Sequence, residues 1–387
     1  MKIVLTCNYS PWSSYSGGGQ RSTHNLACAL AKRGHDVCVI FSKPPWERIQ
    51  PLEPLPYRLL WASLWDHKSR RQAPFRPLTS LSVLRIIKKH FGNEKNFIIH
   101  SNGEESAALG KIKKDSGFGL VVTPRYPDLP KTLFEKNWSW FFRKAYMGVF
   151  HAKYLALGKA LRDADAVSPP SIYAGRLMQQ AYGLDYRKIR PVHNGVPVEF
   201  LQYRWKDPEP GSPLVFFGRL SMSKGVDTLL SALYMLGERA PRTLIFGRGP
   251  MRSRIVRQIR SCGLGDRVSL MGWVDHHQLG QVLSDASMAV IPSREENFSL
   301  AVLSAMAVGT PLITTPVGGT CEVVEHETNG LLFEPGNDRE LAESIRACMQ
   351  DTAKAAGFGR RGASRVRRGF TWDTAAQKFE KIYQDIL

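Results

Sequence analysis

Short apolar runs alternate with segments of helical period along most of this chain, a pattern that predicts a parallel α/β fold. Lys2 to Thr6 reads as a first buried strand. A polar loop over Tyr9 to Ser16 ends in Gly17-Gly18-Gly19. Ser22 to Lys32 is helix-like, with Leu26, Ala29 and Leu30 on one side and Gly34 as its C-terminal cap. Val37 to Phe41 follows as the second strand and closes a βαβ unit. From Pro44 to Pro77 the density of Pro, Trp and Arg predicts an irregular excursion. Phe97 to His100 and Leu120 to Thr123 read as further strands, each running into a polar loop, Ser101-Asn102-Gly103-Glu104 and Pro124-Arg125-Tyr126. Loops on the same edge as the glycine turn would line one face of a cleft, which makes His100 and Arg125 candidates for it. A lone His in a core and a lone Arg in solvent are the plainer alternatives.

Ala164 to Ser168 starts another strand, and Ile189 to Val192 leads into His193-Asn194-Gly195. Arg204 to Pro213, with Pro208, Pro210, Gly211 and Pro213, reads as the interdomain linker. Beyond it the pattern is more regular. Leu214 to Phe217 is a strand followed by Gly218-Arg219-Leu220 and Lys224-Gly225. Val226, Leu229, Leu230, Leu233 and Leu236 repeat at helical spacing until Gly237. Thr243 to Phe246 is the next strand, closed by Gly247-Arg248-Gly249-Pro250, and Val268 to Leu270 leads into Gly272-Trp273-Val274. Met288 to Ile291 is stopped by Pro292 and Ser293, Glu295 and Glu296 follow in a loop, and Ser299 to Ala307 has the composition of a buried helix. A carboxylate at a strand end, just before a helix N-terminus, sits where ligands bind in open α/β sheets. A buried strand-helix-strand passage without a site is the competing reading. The last helix, after Trp372, carries Ala375, Ala376, Phe379, Ile382, Tyr383 and Ile386 on a face that needs a partner.

A length of 387 residues suggests two domains of about 150 to 200 residues each. The net charge of +19 points to an anionic partner, which charge alone leaves open among nucleic acid, a membrane face and a phosphorylated substrate. The basic residues are spread along the chain with no nucleic-acid motif, so nucleic acid is not expected. Between Leu133 and Tyr154, Phe134, Trp138, Phe141, Phe142 and Tyr146 share a helical face beside Lys136, Arg143, Lys144 and Lys153. This suits an amphipathic helix docked on an anionic bilayer, or equally a core helix whose cationic stems reach water. The six cysteines show no Cys-x-x-Cys spacing and read as buried free thiols in a reducing cytoplasm, without a metal site. Lys2 alone before Ile3-Val4-Leu5, with a polar stretch after, is unlike a secretory signal. Asn297 to Cys321 has no formal charge, but Gly309, Pro311, Pro316, Gly318 and Gly319 break it into pieces too short to cross a membrane. The glycines at 17 to 19 lack the Gly-x-Gly-x-x-Gly spacing, and no acidic residue ends the second strand at Phe41. A nicotinamide or flavin is therefore not expected.

Taken in order, these pieces resemble the family-4 retaining glycosyltransferases. The matching residues are Gly17-Gly18 with the helix leading to Val37; Asn194-Gly195-Val196; Gly218-Arg219-Leu220 with Lys224-Gly225; Gly247-x-Gly249-Pro250; and Gly272-Trp273-Val274. Pro292-Ser293 with Glu296-Asn297-Phe298-Ser299, then Thr310-Pro311, Gly318-Gly319, Glu322 and Asn329-Gly330-Leu331, complete the pattern. The resemblance is strong over about 200 to 350 and weaker before, apart from the glycine helix. It implies the GT-B arrangement, two Rossmann-like doubly wound α/β domains facing across a cleft. Residues 1–200 would bind acceptor, 201–371 would bind a nucleotide-sugar donor, and the helix over 372–387 would pack back on the first domain.

The same resemblance implies roles. Arg219 and Lys224 would stabilise the leaving diphosphate without metal, and Glu296 would hold the donor sugar. Gly218, Gly249, Val274, Asn297, Phe298, Ser299 and Ser304 would line the donor site; Gly17, Gly18, His100 and Arg125 would line the acceptor site. No cofactor is implied beyond the nucleotide sugar. The acceptor would be a glycan, a lipid-linked sugar or a lipopolysaccharide intermediate at the cytoplasmic membrane face. Two departures stand out. The family's second glutamate, which accepts ribose hydroxyls, falls at Ser304, and losing such bonds typically weakens binding by about 1.5 to 3 kcal/mol. Arg125 stands where the family often has His, and Arg cannot act as a general base. A sugar-nucleotide 2-epimerase and a non-catalytic scaffold subunit are the rival readings.

Overall fold

The computed structural model describes residues 1–13, 17–51, 53–64, 76–124 and 154–387. The chain divides into two units, one of Met1–His193 with Asp373–Leu387 and one of Asn194–Trp372. Each is built on a six-stranded sheet whose strand pairs are all parallel. This is the GT-B fold class, α/β with two Rossmann-like units.

Unit 1 runs β1 (Lys2–Asn8), α1 (Gly18–Lys32), β2 (Asp36–Lys43), β3 (Arg58–Ser63), α2 (Arg76–Phe91), β4 (Phe97–Ser101), α3 (Gly110–Ser116), β5 (Phe118–Val122), β6 (Ala166–Val167) and α4 (Ile172–Tyr182). Its strand order is β3-β2-β1-β4-β5-β6. Three expectations change here. The excursion after Pro44 contains a strand after all, because Arg58–Ser63 pairs with Cys38–Lys43 at the sheet edge, where a half-exposed run suffices. Gly18 and Gly19 are the first residues of α1 rather than a free turn; Gln20 stands near enough to accept from the Gly17 N–H at 3.0 Å and close that end. The strand expected from Leu120 begins at Phe118, and Gly119 lies within it because a side chain there would overlap Ile386 of the last helix.

The last helix, Trp372–Ile386, returns to unit 1. Phe379 and Tyr383 are buried. The Tyr383 hydroxyl pairs with His100 Nδ1 at 2.6 Å, and Glu380 takes both Arg33 (2.6 and 2.9 Å) and His35 (2.7 Å). Arg33, and then His35, hold the Glu380 carboxyl below its usual range.

Unit 2 runs β7 (Leu214–Phe217), α5 (Val226–Leu236), β8 (Thr243–Phe246), α6 (Arg252–Ser261), β9 (Val268–Gly272), α7 (His276–Asp285), β10 (Met288–Ile291), α8 (Leu300–Val308), β11 (Leu312–Thr314), β12 (Leu331–Leu332), α9 (Asp338–Gln350) and α10 (Thr352–Gly369). The order is β12-β11-β10-β7-β8-β9. β7 and β10 are buried along their whole length, as parallel strands covered on both faces must be. Arg204 to Pro213 is not the boundary. The division falls after His193, because Val196 pairs with Phe370 and Thr371, Trp205 N donates to Val308 O (2.8 Å), and Trp205 Nε1 donates to Ala286 O (2.7 Å). The proline-rich segment is thereby stitched along unit 2.

Candidate functional site

The sheet of unit 2 reverses its winding at β7, with β8 and β9 on one side and β10 to β12 on the other. Ligands in open α/β sheets bind beyond the carboxyl ends of strands at such a point. The loop after β7 ends in a 3-10 turn, Met222–Lys224, followed by Gly225 at φ 63°. A Cβ on Gly225 would overlap the carbonyl oxygen of Pro292, so only glycine lets this turn lie against the loop after β10. That approach brings Lys224 Nζ onto Glu296 Oε1. Their side chains are 24% and 12% exposed, and Ser293 Oγ donates to the same oxygen at 3.2 Å.

Arg294 locks the two loops together. Its guanidinium donates to both carboxylate oxygens of Asp227 (2.7 and 3.0 Å), to Thr228 Oγ1 (2.9 Å) and to Met222 O (3.0 Å), while its backbone N–H reaches Ser223 O (2.8 Å). From the other side, Gly318 at φ 59° lies so near the Glu296 carbonyl that a side chain would overlap it, and Gly319 N donates to Asn297 O at 3.0 Å. Ser299 caps α8 through Val302 N (3.4 Å), and the helix begins at Leu300, four positions after Glu296, with its other first N–H groups outside the helical ladder. Phe298 is buried and stacked on Phe370. Ser304 is buried in α8 and its hydroxyl donates to Leu300 O at 2.9 Å.

Arg219 is exposed, and its guanidinium has no partner among the described residues. It follows Gly218, whose φ of 148° turns the chain out of β7. Gly249 takes the close approach of Leu220, where a Cβ would overlap the backbone. Val274 is half-buried after β9, next to Trp273, which is 56% exposed.

In unit 1 the winding reverses between β1 and β4. Gly17 and Gly18 are exposed at the N-terminus of α1, at the carboxyl end of β1. Beneath them Asn102 Nδ2 donates to Thr6 O (2.7 Å) and Thr23 Oγ1 (2.8 Å), and Glu105 Oε1 accepts from Asn102 N (2.8 Å), Ser101 Oγ (3.0 Å) and Thr6 Oγ1 (3.3 Å). Burial, with Glu104 adding to it, pushes the Glu105 carboxyl up to about 7 despite these donors. His100 is not at a surface. It is 1% exposed, with Nε2 on Thr123 Oγ1 at 2.7 Å and Nδ1 on Tyr383, because the last helix covers its side of β4. Arg125 and the aromatic segment from Leu133 to Lys153 lie outside the described residues.

Two family models match the chain. The one described as Glycosyl transferases group 1 covers residues 201–365, and the one described as Glycosyltransferase Family 4 covers residues 16–200. The chain belongs to the family-4 glycosyltransferases. This family member is 29% identical over 226 residues to a glycogen synthase of Mycobacterium tuberculosis, a match spanning 58% of the chain and 55% of that protein. Among solved structures it is similar to a sucrose-phosphate synthase from Thermosynechococcus elongatus, with TM-score 0.82, 24% identity and 99% and 98% of the two chains covered. HepE of Anabaena, solved in complex with UDP-glucose, gives TM-score 0.73 at 19% identity over 100% of both chains. At these identities the two structures share the fold.

The structure of this glycosyltransferase thus brings Lys224 and Glu296 together just before α8 and sets Arg219 earlier in the loop that carries Lys224. It places His100 in a core. Sequence reasoning missed Arg294 and Asp227, whose partnership spans 67 positions, and the Glu105–Asn102 network. The available signal was weak: an arginine directly before two glutamates, and a glutamate pair just after a strand. All six cysteines are free, and Cys321 is exposed rather than buried. Among the described residues no helix is long and apolar enough to cross a membrane.

Proposed function

We propose that this family member is a retaining transferase that moves a sugar from a nucleotide-sugar donor, bound by unit 2, to an anionic glycan or lipid-linked acceptor bound by unit 1. One observation carries the reading: a Lys224–Glu296 ion pair at the sheet's switch point, beside an arginine with no partner among the described residues. As the sugar–phosphate bond breaks, negative charge grows on the leaving oxygen. Arg219 and Lys224 are the fixed cations that would meet it. Glu296 would accept sugar hydroxyls, and the N–H groups opening α8 would meet phosphate or sugar oxygens.

The substitution would occur on one face. The acceptor oxygen bonds to the anomeric carbon as the diphosphate leaves, and the acceptor's proton passes to the departing phosphate oxygen. Products are the glycoside and a protonated nucleoside diphosphate, with the anomeric configuration kept. No protein base is needed, which accommodates an arginine at position 125. The UDP-glucose held by HepE makes UDP-sugars the first donors to test. Charge supports the acceptor class. Unit 1 holds 32 of the 53 Lys and Arg residues but 16 of the 34 Asp and Glu, a net +16, against +3 in unit 2. This favours action at an anionic membrane surface on its cytoplasmic side.

Thermal-shift screening against UDP-, GDP- and ADP-sugars, followed by hydrolysis of any hit in the presence of EDTA, tests the reading. A donor that stabilises the wild type, fails to stabilise Lys224→Ala and is slowly hydrolysed with EDTA present is the expected result. Stabilisation that survives Lys224→Ala would move the donor away from this site.

A further inference from the structure

β7 and β8 end in the same way. Their register sets Phe217 opposite Phe246 and continues past both strands, with Gly218 N donating to Phe246 O (3.0 Å) and Leu220 N to Arg248 O (2.9 Å). Gly218 therefore lies beside Gly247, and Arg219 beside Arg248. The two glycines take φ of 148° and 149°, a region that side chains rarely enter. A Cβ on Gly247 would overlap the Gly218 carbonyl oxygen. Two neighbouring strands thus break by one matched glycine turn, and each delivers an arginine at the next position.

Both arginines are exposed, and neither guanidinium has a hydrogen-bond or ion-pair partner among the described residues. Adjacent parallel strands lie about 5 Å apart, so the two arginines leave the sheet edge from neighbouring backbone positions, where like charges disfavour one another. An anion placed between them removes that repulsion, and two guanidinium forks match the several oxygens of a diphosphate. Lys224, by contrast, is already neutralised by Glu296.

We propose that Arg248 is a second diphosphate anchor, acting with Arg219 on the nucleoside diphosphate portion of the donor. The proposal rests on the reading of unit 2 as the donor site. Along the carboxyl edge of the sheet the order is then Glu296 after β10, Lys224 and Arg219 after β7, Arg248 after β8 and Trp273 after β9. A donor laid along it would place sugar at one end and nucleoside at the other, with the phosphates over the two arginines.

Isothermal titration of the full chain with UDP, GDP, ADP and inorganic pyrophosphate tests this, using Arg248→Gln, Arg248→Lys and Arg219→Gln. Arg242→Gln, which removes one charge at the opposite, amino end of β8, is the control. Arg248→Gln is expected to weaken the best nucleoside diphosphate about tenfold, the size of one charge-assisted contact, and Arg248→Lys to recover part of that. Arg242→Gln should stay within about twofold, as expected of a screened distant charge. Melting of Arg248→Gln should match wild type, since its guanidinium has no internal partner to lose. Equal affinities for Arg248→Gln and Arg242→Gln, with binding lost in Arg219→Gln, would overturn the role of Arg248 and leave the donor reading standing. A wild type that binds none of the three nucleotides would overturn both.

Discussion

Glu296→Gln should separate two consequences of one carboxylate. In the structure Lys224 is held by Glu296, so an arriving diphosphate must compete with a negative charge for its cation. The pair is neither exposed nor fully buried, its side chains being 24% and 12% accessible. Exposed ion pairs are worth about 0.2 to 1 kcal/mol and breaking buried ones costs about 3 to 5, so this one lies near 1 to 2 kcal/mol. The glutamine amide keeps the shape, releases Lys224 and removes the repulsion between carboxylate and phosphate. Free UDP, which has no sugar for Glu296 to hold, should therefore bind about 5- to 30-fold tighter to the variant.

Turnover should move the other way. A carboxylate accepting sugar hydroxyls contributes charge-assisted bonds worth about 1.5 to 3 kcal/mol, so kcat/KM for the sugar nucleotide should fall about 10- to 150-fold in the same protein. Titration calorimetry with UDP and a coupled assay of nucleotide release read the two quantities separately. Melting should fall by only a few degrees, the loss of that one pair, because the Arg294 clamp to Asp227, Thr228 and Met222 holds both loops without Glu296. Weaker UDP binding together with unchanged transfer would refute the reasoning, since it would mean that the carboxylate neither competes for Lys224 nor touches the sugar.

Three further outcomes are expected. Gly225→Ala, strained at φ 63° and overlapping Pro292 O, should cost more stability than Gly211→Ala at φ 88° in open space, where the strain alone is about 1 to 2 kcal/mol. Only the first should also lose donor hydrolysis. Glu105 favours its protonated form in the folded state, with its carboxyl pushed up to about 7 from 4.5. Its contribution is therefore fully present below about pH 4.5 and is lost as pH rises through about 7, by about 3 kcal/mol at most. Urea midpoints at pH 5 to 8 should show Glu105→Gln gaining on wild type as pH rises, and a constant gap would exclude this. Tyr383→Phe strips His100 Nδ1 of its buried partner and should cost about 1 to 3 kcal/mol, seen as a lower melting temperature, whereas donor binding by unit 2 should be untouched.

The parts of this fold that were legible in the sequence share one physical cause. Leu214–Phe217, Thr243–Phe246 and Met288–Ile291 appear with the boundaries their apolar runs predict, because each is a short strand buried along all or most of its length and stopped by glycine or proline. Arg58–Ser63 escaped because an edge strand needs only half a buried pattern, and prolines surround it. The linker was misplaced because proline-rich sequence marks irregular backbone, whether that backbone is free or, as at Trp205, hydrogen-bonded along a domain.

The candidate site divides along the same line. Lys224 and Glu296 could each be picked out by local pattern, but that they touch, 72 positions apart, depends on Gly225 letting a turn lie against Pro292, and on Arg294 reaching Asp227 and Thr228. His100 failed for the converse reason: a strand-end histidine reads alike whether water or a helix covers it, and Tyr383 settles that from 283 positions away. The same distinction bears on Ser304. Its hydroxyl is turned back onto Leu300 inside a buried helix, so as placed it offers no carboxylate to a ribose. On the proposed reading, grip on the donor would then come from the loops at the strand ends, where Arg219 and Arg248 stand without internal partners among the described residues. A donor held mainly by its phosphates should be discriminated weakly by its ribose. UDP and its 2′-deoxy counterpart should therefore bind within about threefold of each other, where a site built to accept the missing hydroxyl would reject the deoxy form far more strongly. Calorimetry with the two nucleotides decides it, and a large preference for UDP would show that some other group has taken over the ribose contact.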